Sequence, residues 1–201
     1  MDKDPRAVVT ETTGSVAIVR FNRPKERNPL SLSTLQELES TLTSLITNDD
    51  VQTIIFTGTD DSFLSGANIR ELAQLDTDSA FVFSKLGQRI LQMVADAGQT
   101  TIAAINGYCI GGGLDFALAC DLRVASGTAS FAHPGARLGI ITGWGGTQRL
   151  PGIIGRSKAI ELFITGRRVG SEEALAIGLV TRIGEPVIDC AVATLQEQFP
   201  T

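Results

Sequence analysis

The chain has 201 residues, of which 43% are hydrophobic and 19% are charged, so it is long enough for one domain with a sizeable core. A net charge of -5 argues against a nucleic-acid or anionic-membrane surface as partner. Three sparsely spaced cysteines without a CxxC pair favour reduced thiols over a disulfide framework. With one histidine and no cysteine pair, the ligand spacing of a metal site is missing, and we expect no metal.

The first residues, MDKDPRAVV, lack the apolar segment of a secretory signal, and no apolar run is long enough to cross a bilayer. These two features, with the cysteine pattern, predict a cytoplasmic protein that has no membrane partner.

Hydrophobic patterning predicts strands and helices in alternation. Val16–Phe21 is rich in branched residues and is predicted to be a strand. Leucines at helical spacing follow Ser33 and predict a helix, with Ser33 and Gln36 as a possible capping box at its start. Further strands are predicted at residues 51–57, 101–105, 122–125 and 129–132, and further helices at 79–97, 112–119, 157–164 and 171–177. Residues 60–67 are predicted to be a loop. The pattern indicates a mixed α/β protein.

One stretch joins a buried strand to a glycine-rich helix start: INGYCIGGGLDFALACD, residues 105–121. The first amides of a helix have no partner within it and lie at the positive end of its dipole. Gly112 and Gly113 could therefore donate an N–H to a developing oxyanion, or they could only allow close packing of helix on strand. Asp115, in the first turn, either favours the helix start or points into a pocket as a general base.

A second stretch, SFLSGANIREL at residues 62–72, contains a glycine loop whose backbone could supply another N–H donor. One donor from a loop and one from a helix start would together form an oxyanion hole.

Five motifs in order resemble those of the crotonase superfamily, the enoyl-CoA hydratase/isomerase group. They are FNRPKERNPLS, FLSGANIREL, TIAAINGYCIGGGLDFALACDLRVA, GIITGWGGTQRLP and ITGRRVGSEEALAIGLVTRI, and they cover about residues 8–190. The resemblance implies a spiral of ββα turns with two roughly perpendicular sheets surrounded by helices. It implies this fold for residues 1–186 and a short helical tail for residues 187–201, where family members usually continue into further helices.

The resemblance implies an acyl-CoA thioester substrate whose oxygen is held by the backbone N–H groups of Ala67 and Gly112. Coenzyme A is then part of the substrate, and no separate cofactor is required. Lys25 and Arg27 are implied to contact coenzyme A, with solvated surface charge as the alternative. The other implied substrate contacts are Ser65, Gly66, Asn68, Ile69, Gly111 and Gly135, together with Tyr108 and Trp144 as walls of the acyl pocket.

Two positions depart from the family pattern. Hydratases of the family place two glutamates across the substrate; the first corresponds to Asp115 and the second to Gly135. His133, the only histidine, lies two residues before Gly135 and would share its face in an extended segment. It could replace the missing acid or base, or it could be an ordinary loop or interface residue.

We therefore expect a hydratase/isomerase-type enzyme with Asp115 as its single proton-transfer carboxylate. One alternative is a binding or scaffold protein that has lost its chemistry with Gly135. Another is a different thioester reaction, decarboxylation or hydrolysis, that uses His133. The resemblance also implies a homotrimer or hexamer.

Overall fold

A computed structural model describes residues 6–198. Twelve strands occur in this part of the chain: β1 Val8–Thr13, β2 Val16–Phe21, β3 Pro29–Leu30, β4 Thr53–Thr57, β5 Ser62–Leu64, β6 Gly66–Ala67, β7 Thr100–Ile105, β8 Tyr108–Ile110, β9 Leu122–Ala125, β10 Ser130–Ala132, β11 Val169–Gly170 and β12 Arg182–Ile183. The helices are α1 Leu32–Ile46, α2 Ile69–Leu72, α3 Thr77–Ala95, α4 Gly112–Ala119, α5 Gly146–Ile154, α6 Arg156–Thr165, α7 Ser171–Ala176 and α8 Val187–Gln198.

The strands form a six-stranded sheet in the order β1-β2-β4-β7-β9-β12, a four-stranded sheet in the order β11-β10-β8-β5, and the pair β3-β6. The β1-β2 and β10-β11 pairs are antiparallel, and the other pairs are parallel. After β4, β7 and β9 the chain passes each time into a short strand of the second sheet and then into helix. This repeated passage is the ββα spiral that the resemblance implied.

The core lies on both faces of the six-stranded sheet. Ile54 and Phe56 of β4 belong to the main hydrophobic cluster, whereas Ile55 between them belongs to a second cluster on the opposite face. The alternation follows from the two-residue period of a strand. Helix α8 contributes Val187 and Ala191 to the second cluster, so residues 187–198 cover the sheet and are part of the fold. Residues 1–5 and 199–201 of the predicted domain and tail lie outside the described part.

Two local predictions are corrected by the capping geometry. The N-cap of α1 is Ser31, whose hydroxyl accepts the Thr34 amide at 3.2 Å, and Ser33 lies inside the helix. Helix α3 begins at Thr77 and not at Ser79, because Asp76 and Ser79 form its capping box. Both errors have one origin, since several serines or acids near a helix start can each act as a cap.

Several short or glycine-rich elements were not predicted. Residues 60–67, predicted to be a loop, contain β5 and β6, and β8 follows β7 after two residues. Such strands of two or three residues are too short to show a period. Helix α5 was also missed, because it begins at Gly146 and contains Pro151.

Candidate active site

A cavity of about 590 Å³ lies where β6, the start of α4 and the 3-10 helix Pro134–Leu138 come together, with α3 and α6 alongside. Its walls are mostly apolar. Ten of the residues singled out from the sequence contribute to the wall: Ser65, Gly66, Ala67, Ile69, Gly111, Gly112, Asp115, His133, Gly135 and Trp144. Residues from four separated stretches therefore meet in one place, which is the arrangement expected of a ligand site.

The backbones of Ala67 and Gly112 lie next to each other in the wall of this cavity. Gly112 is the first residue of α4, so its amide has no acceptor one turn back in the helix. Gly111 before it has φ of 56°, a left-handed conformation that turns the chain from β8 into the helix. The Ala67 nitrogen lies 3.5 Å from the position that a Cβ on Gly112 would take. An amide at a helix start with a second backbone nitrogen beside it is a combination that suits an anionic oxygen.

The glycines at the start of α4 also serve close packing. A Cβ on Gly113 would overlap the backbone carbonyl of Leu64, and a Cβ on Gly112 would lie 2.6 Å from the Trp144 ring. A Cβ on Gly87 of α3 would overlap the same ring. The two interpretations of the glycine run are therefore compatible, because the helix start both packs tightly and presents its amides to the cavity.

Asp115 is buried, with 1% of its surface exposed, and it lines the cavity. Its Oδ2 accepts a hydrogen bond from the Thr142 hydroxyl. Its Oδ1 lies against Gly146, the first residue of α5, where a Cβ would overlap the carboxylate. Thr142 was not singled out from the sequence, because no local pattern links a threonine to an aspartate 27 residues earlier.

His133 is buried beside Asp115, with 4% of its surface exposed. Its Nε2 lies 3.2 Å from Asp115 Oδ1, an ion-pair distance, but the two groups are not aligned for a hydrogen bond. Among the described residues, neither atom has another hydrogen-bond partner. The imidazole packs on Phe163 of α6, with 5.1 Å between ring centroids, which fixes the plane of the ring.

Gly135 occupies a tight turn of the cavity wall. Its carbonyl accepts the Ile140 amide at 3.0 Å, and a Cβ at this position would lie 2.7 Å from the Ile140 carbonyl oxygen. A glutamate at 135 would therefore require the backbone at Ile140 to move. The absence of the second carboxylate is thus built into the local backbone as well as into the sequence.

Four predicted contact residues do not line the cavity. The Asn68 side chain caps α2, since it accepts the Arg70 amide at 3.1 Å. Lys25 is exposed on the 3-10 helix Pro24–Glu26. Tyr108 is not among the residues of this cavity wall, and its ring centroid lies 4.9 Å from the Arg27 guanidinium.

Arg27 remains close to the site through its backbone. Its carbonyl accepts the Ser65 amide at 3.1 Å, and Ser65 belongs to the cavity wall. The Arg168 guanidinium also approaches the Tyr108 ring, at 5.2 Å. Two exposed cations thus lie around one aromatic ring near the loop that carries Ala67.

Other candidate chemistry is sparse in the described part of the chain. No group of three or more His, Cys, Asp or Glu side chains among residues 6–198 could hold a metal ion. Burial raises the pKa of both Cys109 and Cys120, so neither thiol is activated as a nucleophile. Within the same residues, no helix has the length and hydropathy needed to cross a membrane.

Comparison with known proteins decides the family. The family model for enoyl-CoA hydratase/isomerase matches residues 11–197. The chain belongs to the enoyl-CoA hydratase/isomerase family. Among its relatives are a short-chain-enoyl-CoA hydratase of Clostridium acetobutylicum, 38% identical over 180 residues, and a crotonyl-CoA hydratase of Syntrophomonas wolfei, 37% identical over 180 residues. Each match covers 89% of this chain and 69% of the relative.

Solved structures of family members have the same fold. The crystal structure of an enoyl-CoA hydratase from Bacillus anthracis matches with a TM-score of 0.91 and 34% identity, over 95% of this chain and 76% of that one. The crotonase-type architecture inferred from the five sequence motifs is confirmed.

Proposed function

We propose that this family member acts on the acyl chain of an enoyl-CoA thioester, by adding water to its double bond or by moving that bond. One observation carries the proposal: the buried carboxylate of Asp115 shares a cavity with Ala67 and Gly112, whose backbones are neighbours in its wall. A thioester oxygen held by both amides would place the acyl carbons next to the carboxylate.

The two amides would stabilise the enolate that forms when the carbon next to the thioester carbonyl loses a proton or when a nucleophile adds to the double bond. Negative charge then grows on the thioester oxygen, and two fixed N–H groups hold it without reorganisation. Removing one such donor typically costs about 10²–10³ in rate. Because both donors belong to the backbone, the tight packing around Gly112 fixes the direction of its N–H group.

Asp115 would carry the proton to or from the acyl chain. The Thr142 hydroxyl binds Oδ2, and Oδ1 lies 3.2 Å from Nε2 of His133. Exposed Arg27 and Arg168, and the neighbouring Lys25, would meet the phosphates of coenzyme A. The chemistry needs only the thioester, a proton carrier and water, so we propose that no further cofactor takes part.

The test is turnover of crotonyl-CoA, followed by loss of the conjugated enoyl thioester absorbance. Asp115→Asn keeps the size of the side chain but cannot carry a proton, and we expect the rate to fall by about 10²–10⁴. Asp189→Asn is the matched control, because Asp189 is an exposed aspartate in the first turn of α8, on the far face of the sheet. Equal rates for the two variants would contradict the role of Asp115.

A second candidate function is acyl-CoA binding without turnover. The tight backbone at Gly135, which excludes a second carboxylate, favours it. Tight binding of crotonyl-CoA without turnover of any acyl-CoA tested would support this function. Failure to bind any acyl-CoA would contradict both candidates.

We also propose a homotrimer or hexamer in the cytoplasm. Exposed apolar side chains, including Phe81 and Val82 on α3 and Ile141 at the cavity, support association, since such groups are usually covered by a partner when they occur together.

A further inference from the structure

The Asp115–His133 contact is the feature that the proposed function leaves unused. Both side chains are more than nine-tenths buried, both line the cavity, and their facing atoms lie 3.2 Å apart. Among the described residues these atoms, Oδ1 and Nε2, have no hydrogen-bond partner. Buried polar atoms without partners are uncommon, and a ligand, an ordered water or a moving proton can account for them.

The surroundings of His133 hold it in place but do not satisfy Nε2. Phe163 of α6 packs on the ring, and Pro134 continues directly into the 3-10 helix. Nε2 itself is buried 3.2 Å from the carboxylate oxygen of Asp115, while both residues belong to the cavity wall.

We propose that His133 is the second proton-transfer group of the site and that it shares a single proton with Asp115. The inference rests on the proposed function and deepens it, because it assigns hydration of an enoyl-CoA as the reaction. Asp115 would donate its proton to C2, the carbon next to the thioester carbonyl. His133 would accept a proton from the water that attacks C3, the next carbon.

The protons and electrons of this step balance. The pair begins with the proton on the Asp115 carboxyl and with neutral His133. The oxygen of water bonds to C3, its proton passes to Nε2 of His133, and the double-bond electrons move through the enolate held by Ala67 and Gly112. The Asp115 proton is then added to C2, which leaves a carboxylate beside an imidazolium. Transfer of that proton from Nε2 to Oδ1 across 3.2 Å restores the starting pair.

The rival role for His133 is to position the Asp115 carboxylate without moving a proton. The two roles make different demands on the side chain. Glutamine can reach a similar position and can donate an amide N–H to Asp115, but it cannot accept a proton from water. His133→Gln therefore removes acid–base chemistry while it keeps a donor beside the carboxylate.

The experiment compares two reactions of the same variants. The first is hydration of crotonyl-CoA, with kcat and KM determined separately. The second is exchange of the C2 protons of butyryl-CoA with deuterated water, measured by mass spectrometry, which needs Asp115 and the oxyanion hole but no addition of water. Thr194→Val is the matched control, because Thr194 is also a buried polar side chain but lies on α8, away from the cavity.

We expect His133→Gln to lower the kcat of hydration by about 10²–10⁴, the usual contribution of general acid–base catalysis, while KM and C2 exchange stay within about tenfold of the parent. Thr194→Val should change neither reaction. If His133→Gln does not fold, as judged by thermal unfolding, His133→Asn takes its place with the same expectation.

Several results would overturn the inference. Hydration at the parental rate in His133→Gln would reduce the histidine to a positioning role, as would an equal fall in hydration and exchange. A parent that exchanges C2 protons but does not hydrate crotonyl-CoA would contradict the inference and leave the proposed enolate chemistry standing. A parent that does neither would contradict the proposed function as well.

Discussion

Asp115 keeps its position because the residue opposite it has no side chain. Gly146 begins α5, and its Cα faces Oδ1 so closely that any Cβ would overlap the carboxylate. Thr142 holds the other oxygen through its hydroxyl. The carboxylate is therefore confined from two sides by residues 142 and 146.

Gly146→Ala should displace the Asp115 carboxylate and lower the rate of crotonyl-CoA turnover by roughly 10²-fold or more, because a misplaced proton carrier loses most of its effect. Gly152→Ala in the same helix is the control, since a Cβ there meets no atom within 4 Å. That change should keep the activity and raise the free energy of unfolding by about 0.5–1 kcal/mol. Activity assays and thermal unfolding of both variants check this, and full activity of Gly146→Ala would contradict the account of Asp115.

At this scale the sequence could predict Asp115, Ala67 and Gly112, because they lie inside recognisable motifs. It could not predict Thr142 or Gly146 as neighbours of Asp115, since that contact depends on how α5 docks on α4. Tyr108 shows the opposite error. Its place in the glycine motif suggested the acyl pocket, but Tyr108 lies at the start of β8 beside Arg27, and Ile110 at the end of that strand lines the cavity.

Elements of the six-stranded sheet were easier to predict than those of the second sheet. Strands β4 and β7 are apolar runs buried on both faces and bounded by loop or turn residues, a pattern that indicates a parallel central strand. Strands β5 and β8 have three residues each and leave no such signal, although they bring the loop of Ala67 beside the start of α4. The fold class and α4 were therefore predictable, but the short strands β5, β6 and β8 beside the site were not.

Helices α6 and α7 are connected by Arg167, which donates to Glu161 at 2.7 Å and to both oxygens of Glu173 at 2.6 and 2.8 Å. The hydrogen bonds from Arg167 lower the pKa of Glu173 below its ordinary value of 4.5. A carboxyl whose pKa is lower in the folded state stabilises the fold above its unfolded pKa and loses that contribution as the pH falls through the folded pKa.

Arg167→Gln should therefore lower the Tm slightly at neutral pH, and its difference from the parent should shrink as the pH falls through the lowered pKa of Glu173. The effect is small because the side chains are partly exposed and water screens them. Arg156→Gln, at the exposed start of α6, should show no such pH dependence. Calorimetric unfolding of the parent, Arg167→Gln and Arg156→Gln from neutral pH down through the pKa of Glu173 checks the prediction. A Tm difference between Arg167→Gln and the parent that grows on acidification would contradict it.

The whole molecule exposes apolar side chains that one chain does not cover. Phe81, Val82 and Ile141 are more than 60% exposed. Ile141, in the loop before α5, belongs to the cavity wall, and Phe81 and Val82 lie on α3 next to residues of that wall. Sedimentation velocity should give a mass three or six times that of one chain. Because the contacts are apolar, the assembly should persist at high salt, where surface ion pairs are screened. A monomer at all concentrations would contradict this expectation.

Trp144 is the only tryptophan of the chain, and its ring is enclosed by Gly87, Gly112 and Phe83 at the cavity wall. Selectively excited tryptophan fluorescence therefore comes from a single position, next to the amide that would hold the thioester. The protein carries its own optical probe, so acyl-CoA binding and unfolding can each be followed by emission without any attached dye. The same signal can separate binding from turnover in variants that no longer react.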